Sequence, residues 1–246
     1  TISCKFFGIL IISIVTASSA FAQLSGIKSI PSVNYPTIKV AVDSLNLYGV
    51  TGGGGVTFNV AAGYTETLTA RLDLTATGSA SDQIIFQKSG AGANPAITAY
   101  AGGALASAAN PDGMWSLTGS DYVTIDGINL NEAAGNTTTA LQMEYGYGLF
   151  KASASDGANN NTIKNCVITL NRNNTVVAGA GFITGGTGGS MGIVVAACTP
   201  TTGTTVTTVT SVSGASSNNK FYSNTIQNVH VGIALTGYAG ASPFTL

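Results

Sequence analysis

The chain has 246 residues, of which 44% are hydrophobic and only 8% are charged. This composition excludes disorder of the charged, hydrophobe-poor kind, and the scarcity of Glu, Lys and Arg disfavours a helical bundle. The net charge of −1 and the lack of a basic run give no reason to expect nucleic acid as a partner. Abundant Gly, Ala, Ser, Thr and Asn favour many short strands joined by turns.

The first 22 residues have the pattern of a signal peptide. Lys5 precedes the apolar run FFGILIISIV, and Ala20-Phe21-Ala22 supplies the small-x-small pattern that signal peptidase accepts. The sequence therefore predicts cleavage after Ala22 and a secreted, extracellular or cell-surface location. The apolar run is too short to span a membrane comfortably, so no membrane span is expected after cleavage. An uncleaved anchor or a buried helix is the alternative.

Residues 23–50 are predicted to form an N-terminal cap. In TIKVAVDSLNLYG, the apolar residues Ile38, Val42 and Leu45 have helical spacing, and Thr37 after Pro36 is a suitable start. An amphipathic helix here would cover the open strand edges at one end of a repetitive β structure.

Residues 51–246 contain an internal repeat, which predicts an all-β fold. The segments SDQIIFQK, GSDYVTIDGINL, NNNTIKNCVITL and SNNKFYSNTIQN align with one another. Three columns follow from the alignment: Ile84, Val123, Ile163 and Phe221 in the first, Ile128, Ile168 and Ile226 in the second, and the bend column Asp126, Cys166 and Asn224 between them.

A third predicted strand follows each of the last three copies. It begins at Gly148, Gly192 and Gly232, so one unit consists of a strand, a bend, a second strand, a connection and a third strand. Such units stack in parallel, one coil on the next, and predict a parallel β-solenoid with a short capping helix. A β-sandwich of meandering strands is the alternative, but it does not explain the fixed place of the glycine-led strand.

The segments TIKVAVDSL and VTFNVAAGYTETL, followed by the NxI-type coils, resemble the pectin-lyase-like right-handed parallel β-helix superfamily. The opening is similar to the cap and first strand of pectinesterases, and the style resembles large secreted surface proteins of Bacteroidetes-type bacteria. For an enzyme, the resemblance implies an acidic polysaccharide substrate and, in the lyases, often calcium. No motif here supports a calcium site, so no cofactor and no metal are expected. The chain starts at Thr1 and stops at Leu246 without a closing element, which predicts a C-terminally truncated fragment of a longer protein.

Two cysteines remain after signal cleavage, Cys166 and Cys198. An oxidising compartment permits a disulfide between them. Two small buried hydrophobic side chains explain the pair equally well.

A ligand site is predicted where two long insertions leave successive coils, from Glu132 to Tyr147 and from Asn171 to Met191. Aromatic rings can stack on sugars while charged groups fix their orientation, so these insertions are candidates for a glycan groove. The candidate residues are Glu144, Tyr145, Tyr147, Arg172 and Phe182. The alternative is that Tyr145 and Phe182 simply cover the outer face of the coils.

These features predict a secreted or cell-surface β-helix module of a larger adhesin or stalk protein that binds a polysaccharide or cell-surface glycan. We assign no catalytic residue, because the mature chain has only ten acidic residues and no Asp-Asp pair. One alternative is a lyase, hydrolase or esterase acting on acidic polysaccharide. Another is a self-associating structural filament subunit, favoured by the low charge and by the stacking of coils.

Overall fold

A computed structural model describes residues 23–50, 52–102, 111–173, 189–201 and 207–237. Within these residues there are sixteen strands and one α-helix. In chain order they are β1 Gly26–Ile30 and α1 Ile38–Tyr48; β2 Val56–Ala61, β3 Thr65–Thr67 and β4 Leu72–Leu74; β5 Ile84–Ser89, β6 Ala96–Thr98 and β7 Gly113–Thr118; β8 Val123–Asp126, β9 Asn129–Asn131 and β10 Tyr145–Phe150; β11 Thr162–Lys164, β12 Val167–Thr169 and β13 Met191–Val195; β14 Lys220–Tyr222, β15 Thr225–Gln227 and β16 Val231–Leu235. We call the five sets of three strands that follow α1 repeats 1 to 5.

The strands form three sheets, and every strand pair within them is parallel. Sheet 1 has the order β1-β2-β5-β8-β11-β14, sheet 2 the order β3-β6-β9-β12-β15, and sheet 3 the order β4-β7-β10-β13-β16. Each repeat therefore contributes one strand to each sheet, and each strand pairs with its equivalent in the neighbouring repeats. The prediction of an all-β fold with parallel stacking is confirmed at this level.

Most of the predicted register is present. Ile84 pairs with Val123, Ile163 with Phe221, and Ile168 with Ile226. The step between repeats 3 and 4 is wrong by two residues: Ile163 pairs with Ile125 rather than Val123, and Ile168 pairs with Leu130 rather than Ile128. A shift of two leaves every side chain on its original face, because successive side chains in a strand alternate between faces.

The two-residue error arose at the bend between sheets 1 and 2. One residue of each bend has a left-handed backbone conformation, and these residues are equivalent from repeat to repeat. Gly127, Asn165 and Ser223 occupy this position with φ values of 69°, 57° and 54°. Glycine and asparagine adopt such angles most readily.

The predicted bend column is corrected accordingly. Ile128, not Asp126, lies at the position of Cys166 and Asn224, one residue after the left-handed residue. Asp126 instead pairs with Lys164 at the end of its strand.

The third strand of repeat 3 also starts earlier than predicted. It begins at Tyr145, and Gly146 rather than Gly148 is equivalent to Gly192 and Gly232. A Cβ atom on Gly192 would lie 2.3 Å from a methyl carbon of Ile226, so this corner has room only for glycine. The sequence YGYG hid the start of the strand because glycine is unfavourable in strands.

The core between the sheets contains a row of aromatic rings. Tyr35, Phe58, Phe86, Trp115 and Tyr147 follow one another with ring centroids 4.8–6.0 Å apart, and the Phe58 and Phe86 rings are stacked. Four of the five rings come from strands of repeats 1 to 3. The parallel register thus brings large residues together in layers of one core.

Helix α1 confirms the predicted capping helix. Its apolar face buries Ile38, Val42 and Leu45 against the core that the sheets share. Thr37 is the N-cap, and its Oγ1 accepts a hydrogen bond from Val40 N at 3.1 Å. Glu66 of β3 accepts two further hydrogen bonds, from Ile38 N and Lys39 N, at the helix N-terminus.

With 11 residues, α1 is much too short to cross a bilayer, and no other helix of the described ranges could do so. The predicted domain boundaries, with residues 1–22 as signal peptide, 23–50 as cap and 51–246 as coils, stay predictions. Residues 1–22 lie outside the described residues.

Candidate functional site

Three of the five predicted ligand-binding residues are buried. The exposed fraction is 2% for Glu144 and 0% for both Tyr145 and Tyr147. Tyr147 belongs to the central aromatic row, and its hydroxyl donates to Ile128 O at 2.8 Å. None of these side chains offers a surface to a glycan, so their assignment to a ligand site is corrected. Their segment is a sheet 3 strand and the residue before it, not an exposed loop.

Glu144 has a structural role at the start of β10. Its Oε2 accepts a hydrogen bond from Asp112 N, and its own N–H donates to Asp112 O at 2.7 Å. Burial raises the pKa of Glu144 to about 8, and the nearby carboxylates of Asp112 and Glu132 add to this shift. The carboxyl group is therefore largely protonated near neutral pH.

The two predicted insertions do lie side by side where the structure describes them. Asn171, at the start of the second insertion, donates through Nδ2 to Asn136 O of the first at 3.2 Å. Arg172 is exposed next to this contact. Phe182 lies outside the described residues, so its predicted contact with a ligand stays a prediction.

Cys166 and Cys198 are both buried free thiols. Burial raises the pKa of Cys166 to about 11 and that of Cys198 to about 12. Of the two possibilities that the sequence left open, a disulfide or two small buried side chains, these two described residues fit the second. Cys166 contacts the Tyr147 hydroxyl in the core, at an Oη–Sγ distance of 4.0 Å.

All ten carboxylates of the chain lie in the described residues, and most of them are engaged in hydrogen bonds or ion pairs within the protein. Five accept hydrogen bonds from backbone N–H groups: Glu66, Asp82, Asp121, Glu132 and Glu144. Three more pair with basic side chains: Asp43 with Lys39, Asp73 with Arg71, and Asp126 with Lys164. Across the described ranges, no three His, Cys, Asp or Glu residues converge in a way that could hold a metal ion.

A groove on the outer face of sheet 1 is the best candidate for a functional site. It has a volume of about 400 Å³ and is open to solvent. Its lining comes from repeats 2 to 5 and consists of Gln83, Tyr122, Thr124, Asn160, Thr162, Asn218 and Lys220.

The lining residues form two ladders that cross the strands. We call the first the entry ladder. In repeats 2 and 3 it contains the residue just before the sheet 1 strand, and in repeats 4 and 5 the residue at the equivalent position. Its members are Gln83, Tyr122, Asn160 and Asn218. The outward ladder lies two residues further along the strands; its members are Thr124, Thr162 and Lys220. Neighbouring rungs are about 4.8 Å apart, which is the spacing of paired strands.

The groove side chains are free, although their sequence neighbours are not. Asn161 and Asn219, each one residue after an entry-ladder asparagine, bind the backbone of the preceding repeat through both ends of the side-chain amide. By contrast, none of the seven lining side chains makes a hydrogen bond or ion pair with another described residue. Their hydrogen-bonding groups are therefore available to a ligand.

Tyr122 has an unusual backbone conformation for an aromatic residue. Its φ is 55°, and Asn160 and Asn218 at the equivalent positions have φ values of 58° and 60°. Asparagine tolerates this region, whereas a bulky residue there is a clear outlier. Such strain is found most often at functional sites, and here it places a half-buried tyrosine ring in the groove.

The charge in the groove is small. Lys220 is its only charged lining residue, and it is exposed. Beyond the outward ladder, Lys164 lies 3.1 Å from an oxygen of Asp126, and its Nζ is 6.0 Å from the centre of the Tyr222 ring. The site is thus polar, nearly neutral and bordered by aromatic rings.

The sequence contained a signal for this groove that composition did not reveal. In NNNT and SNNK, two asparagines in a row precede a strand. The side chain of the second, Asn161 or Asn219, is hydrogen-bonded to the backbone, and that of the first, Asn160 or Asn218, is free. The aligned tyrosine of DYVT falls in the same column.

No family model, no curated protein and no solved structure matches this chain.

Proposed function

We propose that this chain is a right-handed parallel β-helix module of a secreted or cell-surface protein, and that it binds a glycan in the groove on sheet 1. The adhesin or stalk context, the signal peptide and self-association remain predictions from the sequence. The single observation that carries glycan binding is the set of seven uncommitted polar side chains supplied in register by four repeats.

The strand order supports the β-helix. The chain passes through sheets 1, 2 and 3 in each repeat. It then returns to sheet 1, where the next strand pairs with the sheet 1 strand of the repeat before it. Parallel strands joined in this way are almost always connected with a right-handed crossover. The resemblance of the cap and first strand to the pectin-lyase-like superfamily agrees with this architecture.

The chemistry of the groove supports a carbohydrate ligand. Amides and hydroxyls can donate to and accept from the hydroxyl groups of a sugar, and a tyrosine ring can pack on its apolar face. A shallow groove open to solvent suits an extended polymer better than a small cofactor, which is usually enclosed by its pocket.

The contacts of the carboxylates favour binding over hydrolysis. Glycoside hydrolases use two carboxyl groups that flank the bond to be cleaved. No carboxylate lines the groove. The three nearest in the sequence are engaged, because Asp82 and Asp121 accept backbone hydrogen bonds and Asp126 is paired with Lys164. We therefore prefer a binding module to the alternative of an enzyme acting on acidic polysaccharide.

Retention in native gels that contain soluble polysaccharides tests the proposal. The wild-type chain should be slowed by at least one plant, microbial or animal polysaccharide of a broad panel. Tyr122→Asn should lose the retardation, because it removes the ring but keeps a residue that tolerates the left-handed backbone. Val33→Asn is the matched control, since Val33 is 100% exposed at the other end of the molecule. Equal migration of the wild type and Tyr122→Asn on every gel would contradict the proposal.

A further inference from the structure

We propose that the groove selects a linear, neutral polysaccharide that lies along the stack of repeats, with one sugar residue on each rung of the entry ladder. This inference rests on the proposed glycan binding and adds the class and orientation of the ligand. It is carried by the register of the two ladders and by the distribution of charge around them.

The spacing of the ladders favours this orientation. The four entry-ladder residues follow one another at the inter-strand distance, so the ladder extends over about 14 Å. An extended β-1,4-linked glycan advances by nearly the same distance for each sugar residue. A chain laid across the strands would therefore meet an equivalent set of protein groups at every sugar, whereas a chain laid along a strand would meet only one repeat.

The types of side chain in the ladders favour hydroxyl groups as their partners. Gln83, Asn160 and Asn218 each present one amide with two donors and an acceptor. Thr124 and Thr162 add hydroxyls on the parallel ladder. A sugar between the two ladders can form hydrogen bonds with both of them through neighbouring hydroxyl groups, while the Tyr122 ring packs against one sugar face.

The charges favour a neutral rather than an acidic glycan. A polymer with one carboxylate on each sugar would need a cation on each rung, but Lys220 supplies one at only one rung. The next lysine along the strands, Lys164, is already neutralised by Asp126. A single exposed lysine contributes little to binding because solvent and salt screen its charge.

Isothermal titration of the full chain with β-1,4-glucan oligosaccharides, from disaccharide to hexasaccharide, tests the inference. Each added sugar should tighten binding about three- to tenfold until all four rungs are filled, and the affinity should then stay constant. Oligogalacturonides of matched length should bind no more tightly. Asn160→Gly should weaken binding of the tetrasaccharide about three- to tenfold, since it removes one amide while glycine suits the local backbone.

Three results would overturn the inference but leave glycan binding intact. The first is that the oligogalacturonides bind more tightly than the glucans and that Lys220→Gln removes this preference. The second is an affinity for the glucans that does not depend on their length. The third is selective binding of another glycan of the panel. Absence of binding by every polysaccharide and oligosaccharide tested would instead overturn the proposed function itself. An unchanged melting temperature of Asn160→Gly and Lys220→Gln shows that either loss is not caused by unfolding.

Discussion

Asn161 accepts a hydrogen bond from Val123 N of the repeat before it, and its own backbone N–H donates to the side chain of Asn219 in the repeat after it. Both N–O distances are 2.9 Å. The side-chain Nδ2 groups complete the pattern, because Asn161 donates to Ser120 O and Asn219 donates to Ala158 O. The asparagine thus supplies hydrogen-bond partners that the backbone lacks at the corner before sheet 1.

Asn161→Ala should lower the free energy of unfolding by about 2–4 kcal/mol, because it leaves a backbone donor and a backbone acceptor buried without partners. Chemical denaturation followed by the fluorescence of Trp115, the only tryptophan, measures the change. Asn160→Gly is the control, since the side chain of Asn160 makes no such bond and its φ of 58° suits glycine. A loss of equal size in both variants would contradict a specific role of Asn161.

Phe86 lies between two other rings of the core row, with centroid distances of 4.8 Å to Phe58 and 5.1 Å to Trp115. Phe86→Ala should cost about 3–5 kcal/mol of stability through lost apolar contacts and the cavity it leaves. Phe86→Leu should cost much less, because most of the volume is kept. Leu47→Ala, at a side chain 69% exposed, should change stability by no more than about 0.5 kcal/mol. Similar losses in all three variants would argue against the layered core.

Glu144 should make stability depend on pH. Its folded pKa of about 8 lies above the ordinary value of 4.5. The folded state therefore holds one more proton between these values, and stability falls as the pH rises through this range. Glu144→Gln cannot ionise and still offers an acceptor to Asp112 N. Relative to the wild type, its free energy of unfolding should improve by up to about 1.4 kcal/mol per pH unit between pH 5 and 8, and no further above the folded pKa.

Urea denaturation of both proteins across that pH range measures the difference. Two curves that stay parallel would mean that Glu144 is not buried as a protonated acid.

The cysteines should resist alkylation in the folded protein. Iodoacetamide reacts with thiolates, and burial raises the pKa of both Cys166 and Cys198 far above neutral. Peptide mass spectrometry should find neither Cys166 nor Cys198 modified in native buffer and both modified in denaturant without a reductant. A denatured chain that is labelled only after reduction would reveal a disulfide.

Much of the fold could be predicted from apolar spacing. Alignment of similar segments correctly paired Ile163 with Phe221 and Ile168 with Ile226. Thr37 marked the start of α1. The alignment failed at the bend that contains Asp126-Gly127, because it matched Asp126 with Cys166. The left-handed Gly127 corresponds to Asn165, so Asp126 corresponds to Lys164. Strand β1 was missed because only the last of its five residues, Ile30, is buried. Its partners in β2 also lie thirty residues further along the sequence.

The site could be predicted only in part. An aromatic and polar glycan groove was expected, but Tyr145 and Tyr147 carry no sequence mark that separates a core tyrosine from a surface one. Their position became clear from the strand register, which aligns Tyr147 with Trp115 and Ile193. The groove itself depends on residues from four repeats, and their separation in the sequence hides that they are neighbours.

The position of a bound oligosaccharide tests the central claim most directly. A crystal structure of the chain soaked with a β-1,4-glucan tetrasaccharide should have the sugar in the sheet 1 groove, with successive residues next to Gln83, Tyr122, Asn160 and Asn218. A sugar bound elsewhere, for example beside Arg172, or a groove that stays empty at saturating concentration, would contradict the account.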